Sequence, residues 1–365
     1  MAQNILLITS IYPPQIGGPA IFTERFAIWL RHMKFNVKVI TYSVNKEIIS
    51  SELIQIPLGN NRIKSFVKFI FQIIQNSNRS DLILANGAFI ETFIACKITG
   101  RRYLTKVPGD HLWEYSKNKG WTNLSVLEFQ YAKLNLSQKI FRFLLNLSFR
   151  NAKYVITPSN QLNSIVEVWG VEKNKIKLIY NSADPKVFRS FNIDKKEFDL
   201  ITVCRLVGGK GLQELVKCAL HLDLTLAIVG EGPLLSELKR LSSNTSKIKF
   251  LGKVDNRNIV DALNNSKIFV LNSDSEATSY AIIEAKLSGL PIVTRLNDGS
   301  STLIRNNIDG LVFTDVGENN LENSITSLIN NKQLAQKLGK ESEKDAKIRF
   351  NQNINFSKIL NLMED

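Results

Sequence analysis

Short apolar runs alternate with amphipathic helical stretches along the whole chain, and no other feature restricts its fold so strongly. This alternation belongs to α/β proteins, because successive strands of a parallel sheet need a crossover, usually helical, between them. The first series of strand-like runs is Ile5–Thr9, Val37–Thr41, Leu82–Ala85, Arg102–Val107 and Tyr154–Thr157. A helical pattern covers about Pro19 to Met33, and a long amphipathic stretch covers 124–150. A second series runs Leu200–Cys204, Leu224–Val229, Ile248–Leu251, Ile268–Leu271, Pro291–Thr294 and Leu311–Phe313, with a helix expected from about Lys210. The polar segment Lys186–Glu197 reads as a linker, so two doubly wound domains with a cleft between them are predicted. In such sheets ligands bind beyond the carboxyl ends of the strands. Chemistry is therefore expected at the loops after Thr9, Val107, Cys204, Val229, Leu251 and Leu271.

The length of 365 residues suits about two domains of this kind. The net charge of +14 is uneven: residues 1–180 carry 23 Lys and Arg against 10 Asp and Glu, whereas residues 181–365 carry 24 against 23. A basic first half beside a neutral second half points to an anionic partner for the first half alone. A general drift toward lysine would be expected to raise both halves. Cys96, Cys204 and Cys218 form no CxxC pair, which argues for reduced thiols and a cytoplasmic setting. The start, MAQNILLITSIYPP, has no basic region before its apolar run and reads as a first strand. No apolar stretch reaches the roughly 18 residues of a spanning helix.

Several loops carry residues suited to chemistry. In SDSEATSYAIIEAKLSGLPIV, Ser273–Val293, two glutamates lie eight positions apart, Glu276 and Glu284. A helix entered near Ala281 would bury Ile283, Leu287 and Leu290, carry Glu284 on its first turn and leave Glu276 in the preceding loop. The loop Arg205-Leu206-Val207-Gly208-Gly209-Lys210-Gly211 brackets glycines with two cations. Such a strand-to-helix turn aims backbone N–H groups and full positive charge at an anion; its spacing is not that of a Walker A loop. Two surface cations on a flexible turn would look the same. Gln15-Ile16-Gly17-Gly18-Pro19 opens the first helix, either as a plain tight turn or as a backbone surface for the same anion. In Pro108-Gly109-Asp110-His111-Leu112-Trp113-Glu114, an acid, a histidine and a second acid follow a strand, a candidate acid/base group. His32, His111 and His221 are too scattered for zinc, and Asp274-Ser275-Glu276 has no second acidic cluster to make a metal pair.

These segments, in this order, resemble the retaining, Leloir-type glycosyltransferases of family 4. Glu276 and Glu284 match the family's E-x7-E motif with its Ser-Gly-Leu-Pro-Ile-Val continuation. The Gly-Gly loop, AKYVITPSNQL (Ala152–Leu162), IYNSADPKVF (Ile179–Phe188), Arg205 with Lys210, IVGEGP (Ile228–Pro233) and FLGKV (Phe250–Val254) match the other segments, and RFNQNINFSKIL resembles the last helix. Two wordings depart from the family: EATSYA lacks the commoner Gly-Phe after the first glutamate, and Gly109-Asp110-His111 replaces a plain histidine loop.

The resemblance implies the α/β GT-B fold, with two Rossmann-like domains about a central cleft and a C-terminal helix returning to the first domain. An acceptor-binding domain would span 1–185 with 346–365, and a nucleotide-sugar-binding domain 186–345. Arg205 and Lys210 would bind the diphosphate and Glu276 the donor sugar, with Asp110 and His111 near the reacting hydroxyls. Glu284 would hold the ribose, Gly252 and Val254 the base, and the amides of Ala277, Thr278 and Ser279 the sugar-phosphate. Gly17 and Gly18 would approach the diphosphate from the acceptor side. The implied activity is transfer of a sugar from a nucleotide-diphosphate donor to a glycan or lipid-linked acceptor, with no cofactor, no metal and no nucleic acid. A nucleotide-sugar 2-epimerase and a non-catalytic nucleotide-sugar-binding partner share the architecture. The basic, Phe- and Ile-rich stretches Asn61–Gln75 and Ser137–Lys153 add the expectation of a peripheral site on anionic membrane, at its cytoplasmic face.

Overall fold

The computed structural model describes residues 3–44, 47–191, 193, 195–297 and 299–365, with 256 and 257 as backbone. Of the expected linker, Asn192 and Asp194 lie outside the described residues. The chain divides into two compact units, one reaching to Ile179 and including Phe356–Asp365, the other Tyr180–Asn355.

The first unit holds an eight-stranded sheet ordered β3-β4-β2-β1-β5-β6-β7-β8. Its strands are β1 (Asn4–Thr9), β2 (Asn36–Ser43), β3 (Ile48–Ile49), β4 (Leu53–Pro57), β5 (Leu82–Asn86), β6 (Leu104–Lys106), β7 (Val155–Thr157) and β8 (Ile176–Leu178). All pairings are parallel except β3 on β4. Five of the six residues of β1 are buried, the continuous apolar run of a strand covered on both faces. Strands β3, β4 and β8 are additions to the expected set. β3 is two exposed residues and β8 three half-buried ones, so periodicity had little to register in either.

The amphipathic stretch at 124–150 is interrupted. Two reciprocal caps start two helices, Ser125 with Glu128 for Val126–Phe129 and Asn135 with Gln138 for Leu136–Asn151. In each, the first side chain accepts from the third residue's N–H while that residue's side chain accepts from the cap's N–H.

The second unit holds a six-stranded, all-parallel sheet ordered β11-β10-β9-β12-β13-β14. Its strands are β9 (Phe198–Val203), β10 (Leu226–Val229), β11 (Ile248–Gly252), β12 (Ser266–Leu271), β13 (Ile292–Arg295) and β14 (Leu311–Phe313). Successive residues serve opposite cores: Ile201, Phe269 and Leu271 join one cluster, and Leu200, Ile268 and Val270 the other. That alternation is what helices on both sheet faces require.

The division between units departs from the boundaries at 185 and 345. Ala183 donates its N–H to Phe350 O at 3.1 Å, forms a bridge with Asn351 and is buried with Phe188, Ala346 and Phe350 in the second unit's core. Both crossings therefore lie outside the polar linker, at 179/180 and 355/356. The last helix, Gln352–Glu364, enters the first unit at Phe356. The Phe356 ring is 2% exposed and meets Phe22, Phe26 and Trp29 of the helix Gly18–His32, with centroids at 5.8, 5.0 and 5.8 Å. Phe356→Ala should therefore destabilise the first unit by about 3–5 kcal/mol, the range for truncating a buried phenylalanine. Urea denaturation would show a lowered midpoint; an unchanged one would mean the last helix contributes nothing to that core.

Candidate active site

In each sheet the strand order reverses once, and the sequence-marked loops gather there. In the second unit the chain runs outward from β9 through β10 to β11, then returns beside β9 as β12. The loops after β9 and β12 are thus neighbours at the switch point, where open parallel sheets leave a crevice for ligands. These are the loops of Arg205–Gly211 and Ser273–Ser279.

Backbone and side-chain hydrogen bonds join them. Asp274 N–H donates to Gly209 O at 2.9 Å. Asn272 Nδ2 donates to Gly211 O at 2.9 Å and to a Glu214 carboxylate oxygen at 2.8 Å. Lys210 Nζ lies 2.5 Å from Glu276 Oε1 and 3.1 Å from Ser273 Oγ. The Lys210 ammonium and Glu276 carboxylate therefore neutralise each other, each 16–17% exposed. Arg205 is exposed, and its guanidinium makes no hydrogen bond or ion pair among the described residues. Cys204, between β9 and Arg205, is a half-buried free thiol whose pKa burial pushes up to about 11.

The helix after Glu276 starts one residue earlier than expected. Ser279 is its cap, accepting from Ile282 N–H at 3.4 Å, so the helix is Tyr280–Leu287. Glu284 becomes its fifth residue, beyond the first turn, and is 5% exposed. Ile283, Leu287 and Leu290 are fully buried, as their spacing predicts. Thr278 Oγ1 accepts from Asn181 Nδ2 at 2.7 Å. The N–H groups of Ala277, Thr278 and Ser279 make no hydrogen bond among the described residues. Three open amides thus precede a helix N-terminus, whose partial positive charge favours an anion.

The glycine-rich loop after β10 shapes the Arg205 loop. Gly230 has φ +137° and donates its N–H to Gly252 O at 2.8 Å, tying the ends of β10 and β11. Any Cβ at Gly230 would strike the Cys204 carbonyl. Leu206 is pinned from both sides, its N–H donating to Glu231 O at 2.9 Å and its carbonyl accepting from Leu234 N–H at 3.0 Å. Gly252 ends β11 half-buried, and Val254 packs against the apolar core.

In the first unit, the switch point lies between β1 and β5. The loop holding Gly17 and Gly18 follows β1, and Gly17 caps the helix Gly18–His32. Ala88 N–H donates to Ser10 Oγ at 2.8 Å, closing the β5 end onto the β1 end. Beyond β6 the expected acid–histidine group takes a different form. Asp110 caps the helix His111–Asn118: its Oδ1 accepts from Leu112 and Trp113 N–H at 3.0 and 3.1 Å. Its Oδ2 accepts from Arg142 at 2.7 Å and Gln130 at 2.9 Å, and the side chain is 0% exposed. Both oxygens are occupied, so Asp110 holds the loop in place. His111 is half-buried, its ring edge-on to Phe89 at 5.3 Å. Glu114 is exposed. An aspartate directly before a helical pattern is a capping signal, visible in the sequence beside the acid/base alternative.

Residues without a motif take part in each unit. Asn297, after β13, donates from Nδ2 to Ser273 O at 2.8 Å, and its Oδ1 accepts from Gly299 and Ser300 N–H. Arg295 donates to Asn272 Oδ1 at 2.9 Å and pairs with Glu214 at 2.7 Å. In the first unit, Lys106, the last residue of β6, is 1% exposed with its ammonium 4.6 Å from the Phe22 ring centre, and burial pulls its pKa down to about 7. These roles depend on pairings across 23 to more than 80 positions, which no local spacing displays. No group of three or more His, Cys, Asp or Glu arranged to hold a metal occurs among the described residues.

The Glycosyl transferases group 1 family model matches residues 183–345, and the Glycosyltransferase Family 4 model matches residues 16–187. An uncharacterized glycosyltransferase of Methanocaldococcus jannaschii is 25% identical over 354 residues, which is 94% of this chain and 93% of the relative. The N,N'-diacetylbacillosaminyl-diphospho-undecaprenol alpha-1,3-N-acetylgalactosaminyltransferase of Campylobacter jejuni is 28% identical over 252 residues, 64% of this chain and 65% of the relative. Among solved structures, HepE of Anabaena in complex with UDP and glucose matches with a TM-score of 0.77 at 19% identity, covering 99% of both chains. WaaG, a glycosyltransferase of lipopolysaccharide biosynthesis, matches with a TM-score of 0.73 at 14% identity, covering 98% of this chain and 99% of WaaG. These two likenesses identify the α/β architecture as GT-B. With the two family models meeting at residues 183–187 and together spanning 16–345, the chain belongs to the family 4, group 1 glycosyltransferases.

Proposed function

We propose that the enzyme transfers a sugar, with retention of anomeric configuration, from a nucleotide diphosphate to a lipid-linked or glycan acceptor in cell-surface polysaccharide or glycolipid synthesis. The observation that carries this reading is the set of groups gathered at the second switch point: Arg205, unpaired among the described residues, Lys210 in its pair with Glu276, and the open amides of Ala277–Ser279. Breaking a nucleotide–sugar bond leaves negative charge on the diphosphate and positive charge on the sugar. Preorganised cations and amide dipoles stabilise the first, and the Glu276 carboxylate suits the sugar's hydroxyls. Glu284 would hold the ribose and Gly252 with Val254 the base; Gly17 and Gly18 would approach the diphosphate. Attack from the leaving-group side, with a phosphate oxygen taking the acceptor's proton, accounts for retention. Of the two first-unit candidates the reading keeps His111, since the carboxylate of Asp110 is fully engaged as a helix cap. The relatives support the substrate classes by their names: the Campylobacter enzyme acts on an undecaprenol diphosphate sugar, and HepE was solved with UDP and glucose.

We further infer that the first unit docks peripherally on anionic membrane, at the cytoplasmic face. No described helix is long and apolar enough to cross a membrane. Helix Arg62–Ser77 exposes Ile63, Val67 and Phe71, and Leu136–Asn151 exposes Leu136, Ile140 and Phe143. These helices contain no acidic residue. Two cations of these stretches have acidic partners: Lys68 pairs with Glu47 at 2.6 Å, and Arg142 with Asp110. Lys64 and Lys139 remain exposed beside the apolar stripes.

Incubation with UDP-, GDP- and ADP-sugars and a lipid-linked acceptor should yield transfer that Arg205→Ala and Lys210→Ala each reduce by about 100-fold or more. Wild-type turnover in both variants would sink the assignment, and an isomerised sugar nucleotide formed without acceptor would indicate an epimerase instead. Side chains and amides alone neutralise the leaving group in this proposal, so transfer should persist in excess EDTA; activity lost there and restored by Mg²⁺ would contradict it. Liposome co-sedimentation should show binding to acidic but not neutral vesicles, weakening as salt rises, since each basic residue near the surface contributes about 1 kcal/mol. Replacing Lys64 and Lys139 with Glu and Phe71 and Phe143 with Ser should abolish it. Indifference of the wild-type protein to acidic vesicles at low salt would leave a soluble glycan as the better acceptor.

A further inference from the structure

Lys286 stands two residues beyond Glu284, about 200° further round the same helix, and its side chain is wholly buried. Its ammonium lies 2.6 Å from Asp345 Oδ2 and 3.3 Å from Asp309 Oδ2, and it donates to Leu303 O at 2.8 Å. Burial pulls its pKa down, while Asp309 and Asp345 push it back up. Both carboxylates have other cations. Arg305 Nε pairs with Asp309 at 2.7 Å, and Arg349 approaches Asp345 through two nitrogens at 2.7 and 2.8 Å.

A buried ion network is seldom the most stable way to fill a core, and an apolar side chain of similar volume often serves as well or better. What this one does is place a carbonyl. Leu303 ends the short helix Ser300–Leu303. At the start of that helix, Gly299 lies so close to the carbonyls of Glu276 and Ala277 that a Cβ would collide with them. Asn297, just before, holds the Ser273 carbonyl at 2.8 Å, and Ser300 Oγ donates to Arg295 O at 2.8 Å. The short helix therefore touches the Glu276 loop at one end and Lys286 at the other.

We propose that Lys286 is a positioning residue: by anchoring the Ser300–Leu303 helix to the helix that carries Glu284, it sets the Glu276 loop at a fixed height relative to Glu284. The functional consequence rests on the reading of Glu276 as the sugar contact and Glu284 as the ribose contact. The mechanical part does not, and the two are separable by experiment.

Lys286→Met keeps an unbranched chain of similar length and removes the ammonium. Asp309 and Asp345 keep Arg305 and Arg349, so no bare carboxylate is left in the core, and the variant should fold. Hydrogen exchange on the ligand-free protein should then quicken about tenfold at the amides of Asp274, Ser300 and Ile304, all of which are hydrogen-bonded. The amide of Phe269, in β12, should keep its protection. Kinetics should show kcat for sugar transfer falling about tenfold with the affinity for the bare nucleotide within about twofold of wild type, because the ribose side stays in place. Asp345→Asn, which weakens the ammonium's anchor but keeps the shape, should move the same amides in the same direction, and it carries the test if Lys286→Met does not fold. Unchanged exchange at those three amides in a folded variant overturns the clamp whether or not the enzyme transfers sugar. Quickened exchange with unchanged kcat would keep the clamp and overturn the division of roles between Glu276 and Glu284.

Discussion

The contact between the loops after β9 and β12 is the constraint on which the candidate site depends. Cation-bearing and acid-bearing loops lie more than sixty positions apart and meet only because the sheet reverses between those strands. Asn272 grips the Gly211 carbonyl, Asp274 grips Gly209, and Lys210 reaches Glu276. The ion pair has a consequence for binding. The two groups already satisfy one another, so under the proposed reading a ligand would have to offer both an anion for Lys210 and hydroxyls for Glu276 to separate them without loss. A bare phosphate would meet only half of that requirement. Their attraction offsets part of the desolvation cost of holding two charged side chains about five-sixths buried.

Support for this contact comes in layers. Glycines 230 and 252 bring the neighbouring strand ends together, and the loop after β10 pins Leu206. Asn297 and Arg295 brace the acidic loop from the β13 side. Lys286 and its carboxylates fix the helices behind it. The first unit builds its own switch point with neutral groups, Ser10 against Ala88, and its histidine loop with a buried aspartate that caps a helix and receives an arginine. Two similar topologies thus differ at their loops: one brings together Arg205, the Lys210–Glu276 pair and open amides, the other sets a half-buried His111 against the buried Phe89 ring.

Where the sequence misled, local and distant demands competed for one residue. Asp110 has the company of an acid/base residue and the position of a helix cap; burial and Arg142 decide for the cap, and nothing within ten residues of Asp110 announces Arg142. Glu284 fell one position further along its helix than expected because Ser279, and not the following residue, accepts the first free N–H. The stretch at 124–150 kept a single hydrophobic period yet broke, since two capping boxes outweigh periodicity at their starts.

By itself the sequence determined the α/β class, the two strand series, the buried positions of the long strands and the segments that mark a family 4 glycosyltransferase. All of these follow from periodicity, turn chemistry and motif order, which are properties of neighbours along the chain. Tertiary structure alone decided the unit boundaries at 179/180 and 355/356, where packing of Ala183 and Phe356 overrides a polar linker. It also decided that Lys210 meets Glu276, that Asp110 is enclosed, and that Lys286 is a buried clamp and not a solvated lysine. The physical reason is the same in each case. Whether a charge is paired, and whether it is buried, is set by what strand order brings beside it, and strand order joins residues that the chain holds far apart.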